Sequence, residues 1–304
     1  MTSERPATVA VTGAAGMLGQ DVCTAAPSWA TVVPLTRADG DLSVAEQAAA
    51  ALGAARPDAV IHCAAFTNVD GATEDPEGAR RGNVVATGNV ADLCIELGAR
   101  LLFVSTDYVF DGASQRPRVE STPPSPINAY GRTKLVAEQQ AARVREHLIV
   151  RTQWLFGPGG RSFVEAILNA ARAGKSLRVV QNEHGHPTYT PDLARGIWTL
   201  VEQAWRETEP GGAPTGIVHL TNQGVCSRLE LALAALREVG LDDVEVSGID
   251  SAQWPGPTRR PLHAVLESER LEELGLPPLR HWTEALRDYA TVLRERWERQ
   301  EPSQ

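Results

Sequence analysis

Lysine is almost missing from this chain: of 29 basic residues only two, Lys134 and Lys175, are lysines and the rest are arginines. A codon bias accounts for that in bulk, but it sharpens the question of what a surviving lysine does that a guanidinium could not. Cysteine is scarce as well. The four present (Cys23, Cys63, Cys94 and Cys226) form no C-x-x-C pair, and three lie in apolar stretches, which argues against a disulfide framework or a thiolate metal site and predicts buried free thiols. Positive charge is in deficit, with a formal net charge of −9. The chain therefore carries no electrostatic footprint for nucleic acid or an anionic membrane surface. An anionic small molecule would have to be held by local arginines and backbone amides. No run approaches the roughly 18 apolar residues that span a bilayer, and residues 1–7 are polar rather than a signal peptide, so the expected compartment is the cytoplasm. What is there is ordinary for a globular protein. At 42% hydrophobic and 22% charged over 304 residues, the chain suffices for one large domain or two intimate ones around a substantial core.

Apolar β-branched runs alternate with helical patterns through the first half. Strands are predicted at 8–12, 31–36, 59–63, 100–105 and 147–152, and helices at 17–26, 44–55, 76–98 and 128–144, with a proline-rich loop at 112–126. Strand–helix alternation with short links is the pattern of a parallel, doubly wound α/β sheet. Beyond Arg151 the pattern loosens. Helices are predicted at 163–173 and 191–206 and strands at 177–181 and 216–220. Two helical stretches follow Ser227, then a proline-rich loop at 254–261 and a terminal helix from about Thr283. With no internal repeat and no low-complexity linker, the second half is expected to interleave with the first.

Thr12-Gly13-Ala14-Ala15-Gly16-Met17-Leu18-Gly19 follows the first strand and opens the first helix. Glycines at this spacing permit a tight turn, close approach of backbone to a pyrophosphate and close packing of helix on strand, while the helix N-terminus offers N–H groups to an anion. A glycine triplet alone is weak; placed between strand and helix near the N-terminus it has the context a dinucleotide site requires. Arg37 stands at the end of the second strand with Asp39 two residues on. An acid there would bind the adenosine ribose and an arginine favours a 2′-phosphate, so the expected cofactor is NADP(H), with NAD(H) as the alternative.

Tyr130-Gly131-Arg132-Thr133-Lys134 puts a phenol and an ammonium at i and i+4, on one face of the predicted helix. A free tyrosine, with pKa about 10, exchanges its proton poorly near neutrality. A cation beside it is expected to lower that pKa toward useful general-acid range. Such pairs occur in many helices by chance. The third member is in Ser105-Thr106-Asp107-Tyr108-Val109-Phe110, directly after the fourth strand, at the carboxyl edge where open α/β sheets hold their ligands. A hydroxyl there can polarise a carbonyl beside the tyrosine. His184-x-His186 has no third ligand nearby, so no metal is expected.

From the G-x-x-G-x-x-G loop onward the chain resembles the extended short-chain dehydrogenases, and within them most closely the dTDP-4-dehydrorhamnose reductases. The resemblance covers nearly the whole chain. It is carried by Ala64-Ala65-Phe66-Thr67-Asn68-Val69-Asp70, by 105–112 and 130–138, and by Arg151-Thr152-Gln153-Trp154, Gly185-His186-Pro187-Thr188 and Thr258-Arg259-Arg260-Pro261. It implies a Rossmann-type doubly wound parallel sheet with a smaller, interleaved C-terminal substrate-binding domain. The dinucleotide part would take 1–153 and about 177–221, the substrate part about 154–176 and 222–304. It implies Thr106, Tyr130 and Lys134 as the catalytic triad. Cofactor contacts would come from Gly13, Gly16, Met17, Leu18, Gly19, Arg37, the adenine-side pair Asp41 and Leu42, Ala64, Ala65 and Thr67, with Tyr130 and Lys134. Val69, Thr106, Asp107, Tyr108 and Trp154 would hold the substrate, with Arg259 toward its nucleotide end. The implied reaction is NAD(P)H-dependent reduction of the C4 ketone of a dTDP-4-dehydro-6-deoxy sugar, dTDP-4-dehydrorhamnose to dTDP-L-rhamnose, by a monomer or homodimer.

The chain departs from that pattern at Ala137 (usually Gly), Ser162 (often Asn), Asn182-Glu183 (usually Asp-Gln) and Ala264 (often Ser). All but the first fall in the substrate half, which leaves open a related 4-ketoreductase for a secondary-metabolite sugar such as dihydrostreptose. Some relatives hold magnesium through glutamates at a dimer contact; Asp21 and Pro191 fall at two of those places, and the metal is not carried over. A dehydratase would need an acid where Tyr108 stands, and an epimerase a different context at Val109-Phe110. A non-catalytic NADP-binding subunit, like the beta subunit of methionine adenosyltransferase, would not need the Tyr130–Lys134 pair.

Overall fold

The computed structural model describes residues 6–206 and 215–300. Five strands come from the first half: β1 (Ala7–Thr12), β2 (Ala30–Leu35), β3 (Ala59–His62), β4 (Arg100–Thr106) and β5 (His147–Thr152). A sixth, Gly216–His219, joins β5, and the order across the sheet is Gly216–His219, β5, β4, β3, β1, β2. Every neighbouring pair is parallel. The chain leaves β1 for β2 on one side, then crosses to β3 on the other. A crevice opens past the strand C-termini at that reversal.

The helices, in chain order, are α1 (Met17–Thr24), α2 (Ala45–Ala55), α3 (Val69–Glu74), α4 (Pro76–Arg80), α5 (Ala86–Leu97), α6 (Ala129–Ala141), α7 (Phe163–Arg172), α8 (Thr190–Arg206), α9 (Arg228–Glu238), α10 (Arg270–Glu273) and α11 (Trp282–Gln300). Successive strand residues point to opposite faces of the sheet, so β1 sends Val9 and Val11 one way and Ala10 the other. The first pair joins Ile61, Leu148, Leu193 and Ile197 in a core roofed by α1 and α8. Ala10 joins Val60, Phe103, Leu52, Val90 and Ala137 in a core roofed by α2, α5 and α6. Ala137, one of the departures, is fully buried there.

A further core gathers Leu168, Leu231, Leu236, Leu286 and Tyr289 from α7, α9 and α11. Strand Leu177–Val180 pairs in parallel with Val246–Ile249 and contributes Leu177 and Val179 to this core. The return to the main sheet expected at 177 therefore comes later, with α8 and strand Gly216–His219. Apolar alternation at 177 and 179 suits either core, and only long-range packing decides between them.

The helix expected over 76–98 is interrupted: a π-helical turn, Arg81–Val85, separates α4 from α5. Helix α3, capped by the Asn68 side chain accepting from Gly71 N–H, is too short for a periodicity signal. All four cysteines are free thiols; Cys94 and Cys226 are buried, and Cys23 and Cys63 half-buried. Burial pushes the Cys63, Cys94 and Cys226 thiols up to about 12, far from reactive thiolates. No helix among the described residues is long and apolar enough to cross a membrane.

Candidate active site

One cavity of about 1060 Å³ runs from the turn after β1, past the ends of β3 and β4, to the start of α7 and α9. At its near end Gly13 adopts φ +68, and a Cβ there would come within 2.7 Å of the Ala64 nitrogen; only glycine permits both the turn and the approach of the two strand ends. Gly16 is the N-cap of α1 and offers no side chain to its first turn, which leaves those N–H groups for an anion. Met17, Leu18, Gly19, Leu42, Ala65 and Thr67 complete this wall. Asp41 already accepts from Ser43 N–H and Oγ, each at 2.8 Å, and its carboxyl is held below the usual range by those bonds, with Arg37 and Arg81 adding to the effect. Two arginines thus flank the far corner of the wall, a donor set that fits a dinucleotide carrying a 2′-phosphate. Arg81, on the π-helical turn, has no sequence signal of its own.

Asn83, on the same turn, clamps the loop after β3 to α6. It accepts from Phe66 N–H at 2.8 Å and donates to Phe66 O at 3.2 Å and Thr133 Oγ1 at 2.9 Å. Helix α6 starts at Asn128, whose side chain accepts from Gly131 N–H at 2.8 Å. A Cβ on Gly131 would lie 2.1 Å from the Tyr108 carbonyl, so glycine lets α6 press against the segment leaving β4. That contact brings Tyr130 to Thr106.

Thr106, Tyr130 and Lys134 are all buried and all line the cavity. The Thr106 hydroxyl donates to Asp107 Oδ1 at 2.9 Å and lies near enough to favour the Tyr130 phenolate. Tyr108 meets the Tyr130 ring edge-on with centroids 5.4 Å apart. Lys134 donates to Val104 O at 2.7 Å and lies 4.0 Å over the Phe103 ring. The expected lowering of the Tyr130 pKa by Lys134 does not hold. Burial, then the Asp107 carboxylate, pushes the phenol above its usual range. Desolvation penalises the phenolate directly, and the lowering influence on Tyr130 comes from the Thr106 hydroxyl, not from Lys134. The same burial brings Lys134 down to about 7, against the Glu138 carboxylate that favours its charge. Asp107 is pushed up to about 6 by burial. His62 falls to about 3 for the same reason and bridges Thr12 and Thr87 as a neutral ring.

At the far end Val69, Tyr108 and Trp154 line the cavity. Trp154 holds φ +49, an uncommon backbone for a bulky residue. Gln153 secures it: its Oε1 accepts from His186 N–H at 2.6 Å and its Nε2 donates to Ala264 O at 2.9 Å. Arg259 is the one expected residue absent from the wall; it is exposed, and its carbonyl accepts from the Asn128 side chain at 3.1 Å. The neighbouring Arg260 turns inward to Asp70 at 3.0 Å. Arg228, 74 residues along from Trp154 and not singled out by any sequence motif, lies on the wall with its guanidinium 3.7 Å over the Trp154 ring.

Fold and cavity together are those of an extended short-chain NAD(P)-dependent oxidoreductase. The sequence profile described as RmlD substrate binding domain matches residues 7–295. A dTDP-4-dehydrorhamnose reductase of Mycolicibacterium smegmatis is 39% identical over 92% of this chain and 84% of its own length. A dTDP-4-keto-6-deoxy-D-glucose reductase of Streptomyces niveus is 37% identical over 91% of this chain and 94% of its own. Among solved structures, the dTDP-4-dehydrorhamnose reductase of Bacillus anthracis in complex with NADP superposes with a TM-score of 0.87 at 29% identity, covering 93% of this chain and 98% of that one. The chain belongs to the dTDP-4-dehydrorhamnose reductase family.

Proposed function

We propose that this chain uses NAD(P)H, with NADPH preferred, to reduce the C4 ketone of a dTDP-4-dehydro-6-deoxy sugar, converting dTDP-4-dehydrorhamnose to dTDP-L-rhamnose. The observation that carries this reading is the meeting of Thr106, Tyr130 and Lys134 with the glycine turn on one cavity wall. When bound, the reduced nicotinamide supplies a hydride to C4 of the sugar. The chain's own residues do the rest. Tyr130, kept protonated by burial, gives its proton to the developing alkoxide, a stronger base than the phenolate left behind, and recovers one from solvent. Thr106 turns its hydroxyl to the same oxygen and shares in holding the negative charge. Lys134, one helical turn on from the tyrosine, is held on the Val104 carbonyl, and its protonated form supports the transient phenolate. Val69, Tyr108 and Trp154 hold the sugar ring against this centre.

The partner is a small dTDP-sugar rather than nucleic acid or membrane, and the protein works in the cytoplasm as a monomer or homodimer. A second reading is a 4-ketoreductase for a different deoxysugar. The charged pair of Arg228 and Glu183 at the sugar end and a Streptomyces relative named for dTDP-4-keto-6-deoxy-D-glucose favour it. The test is oxidation of NADPH and NADH followed spectrophotometrically with dTDP-4-dehydrorhamnose made in situ. Turnover is expected, faster with NADPH, and Tyr130→Phe should lower kcat by roughly 10²–10⁴-fold, the usual contribution of a general acid. No turnover in a protein that binds NADPH would contradict the reading and favour another sugar or a non-catalytic role.

A further inference from the structure

Arg228 is a charged group on the cavity wall that the proposed chemistry leaves unused. It opens α9, held in place by the reciprocal cap between Ser227 and Glu230, and its side chain is 16% exposed. One face of the guanidinium covers Trp154 at 3.7 Å, and Phe163 lies 5.0 Å away. A guanidinium fixed in plane by an aromatic ring presents its N–H edge in one direction. Glu183 approaches Arg228 Nε at 3.7 Å, a contact that leaves the terminal donors of the five-donor fork for the cavity. The same guanidinium lies close enough to favour the charged forms of Tyr108 and Asp107, and Tyr108 is in ring contact with Tyr130. Arg228 therefore stands beside the reacting carbon's side of the cavity, not at the glycine turn.

The local charge says what it would bind. Three arginines, Arg228, Arg260 and the wall residue Arg161, are matched by three carboxylates: Glu183 near Arg228, Asp70 bound to Arg260 at 3.0 Å, and Asp107. A phosphate site would show a surplus of cations. A balanced set of donor forks and carboxylates suits a neutral polyol, whose hydroxyls both accept and donate. We propose that Arg228, backed by Trp154 and Glu183, reads the vicinal C2 and C3 hydroxyls of the hexose ring and so decides which sugar nucleotides are accepted. The inference rests on the dTDP-sugar reductase reading above.

Isothermal titration of the NADP⁺-saturated protein with dTDP-L-rhamnose and with its 2-deoxy counterpart tests it, alongside steady-state kinetics on dTDP-4-dehydrorhamnose. The wild type is expected to bind the 2-hydroxyl sugar tighter by on the order of tenfold or more, since a site built around a hydroxyl rejects the analogue lacking it. Arg228→Gln should abolish that preference and raise KM about tenfold with kcat changed far less, the signature of lost uniform binding. Arg228→Lys keeps the charge but not the fork and should recover little of the preference. Equal binding of both sugars by the wild type, or a preference unchanged in Arg228→Gln, overturns the assignment while leaving the reductase intact. A wild type that binds neither sugar overturns the reductase reading and this assignment with it.

Discussion

Asp107 is 3% exposed, and burial pushes its carboxyl up to about 6. The native state therefore holds a proton on it that the unfolded chain, with an ordinary carboxyl, releases at lower pH. Between about pH 4 and pH 6 the native state binds more protons, so this residue's contribution to stability falls as pH rises and is smallest above 6. Two pKa units correspond to roughly 3 kcal/mol. Asp107→Asn keeps an oxygen for the Thr106 hydroxyl and removes the titration. Urea unfolding across this range should show wild-type stability declining relative to the variant by up to about that amount; parallel curves would contradict the assigned shift. The same residue illustrates what a sequence conceals. The positions of Thr106, Tyr130 and Lys134 follow from their local motifs. The direction of the Tyr130 shift does not, because it depends on how far water is excluded, and exclusion is a sum over segments distant in the chain. Arg228 was hidden for a related reason. Its local context reads as a helix start, and only folding lays it on Trp154.

Helix α6 carries Tyr130, Lys134 and Glu138 at four-residue spacing on one face, and Glu138 anchors it. The Glu138 carboxylate accepts from Arg151 Nε at 2.8 Å and Nη2 at 2.7 Å, and from Ser105 Oγ at 2.6 Å. One buried carboxylate thus ties α6 to β5 and β4, the two strands whose ends carry Thr106 and Trp154. Removing one partner of a buried pair strands the other charge. Glu138→Gln should cost on the order of 3–5 kcal/mol of unfolding free energy, whereas the apolar double variant Glu138→Leu with Arg151→Met should cost much less. Equal losses by denaturant titration would show that packing, not charge compensation, holds the helix. The strands and most helices were readable from apolar alternation and glycine placement. The π-helical turn at Arg81–Val85 was not, since an inserted residue leaves the surrounding helical period almost unchanged. That turn nevertheless places both Arg81 and Asn83.

At the scale of the molecule, the cavity lies where the sheet's reversal point meets the α7–α9 core. Its near wall comes from the first 86 residues, its middle from Thr106, Tyr130 and Lys134, and its far end from Val69 and Tyr108 together with segments after Arg151. Strand–helix alternation made the sheet legible, but the assignment of Leu177–Val180 to the second core was decided by its pairing with Val246–Ile249, over 60 residues away. In the proposed reaction both halves act at once: one supplies the dinucleotide wall and the proton donor, the other the grip on the sugar. The central claim is that a hydride reaches C4 of a dTDP-sugar while Tyr130 supplies the proton. The direct measurement is turnover of dTDP-4-dehydrorhamnose with NADPH deuterated at the transferring position, followed by NMR of the product. The account predicts one deuterium at C4 of dTDP-L-rhamnose, and none transferred by Tyr130→Phe beyond a residual rate. Deuterium at another carbon, or a product formed without label, would contradict it.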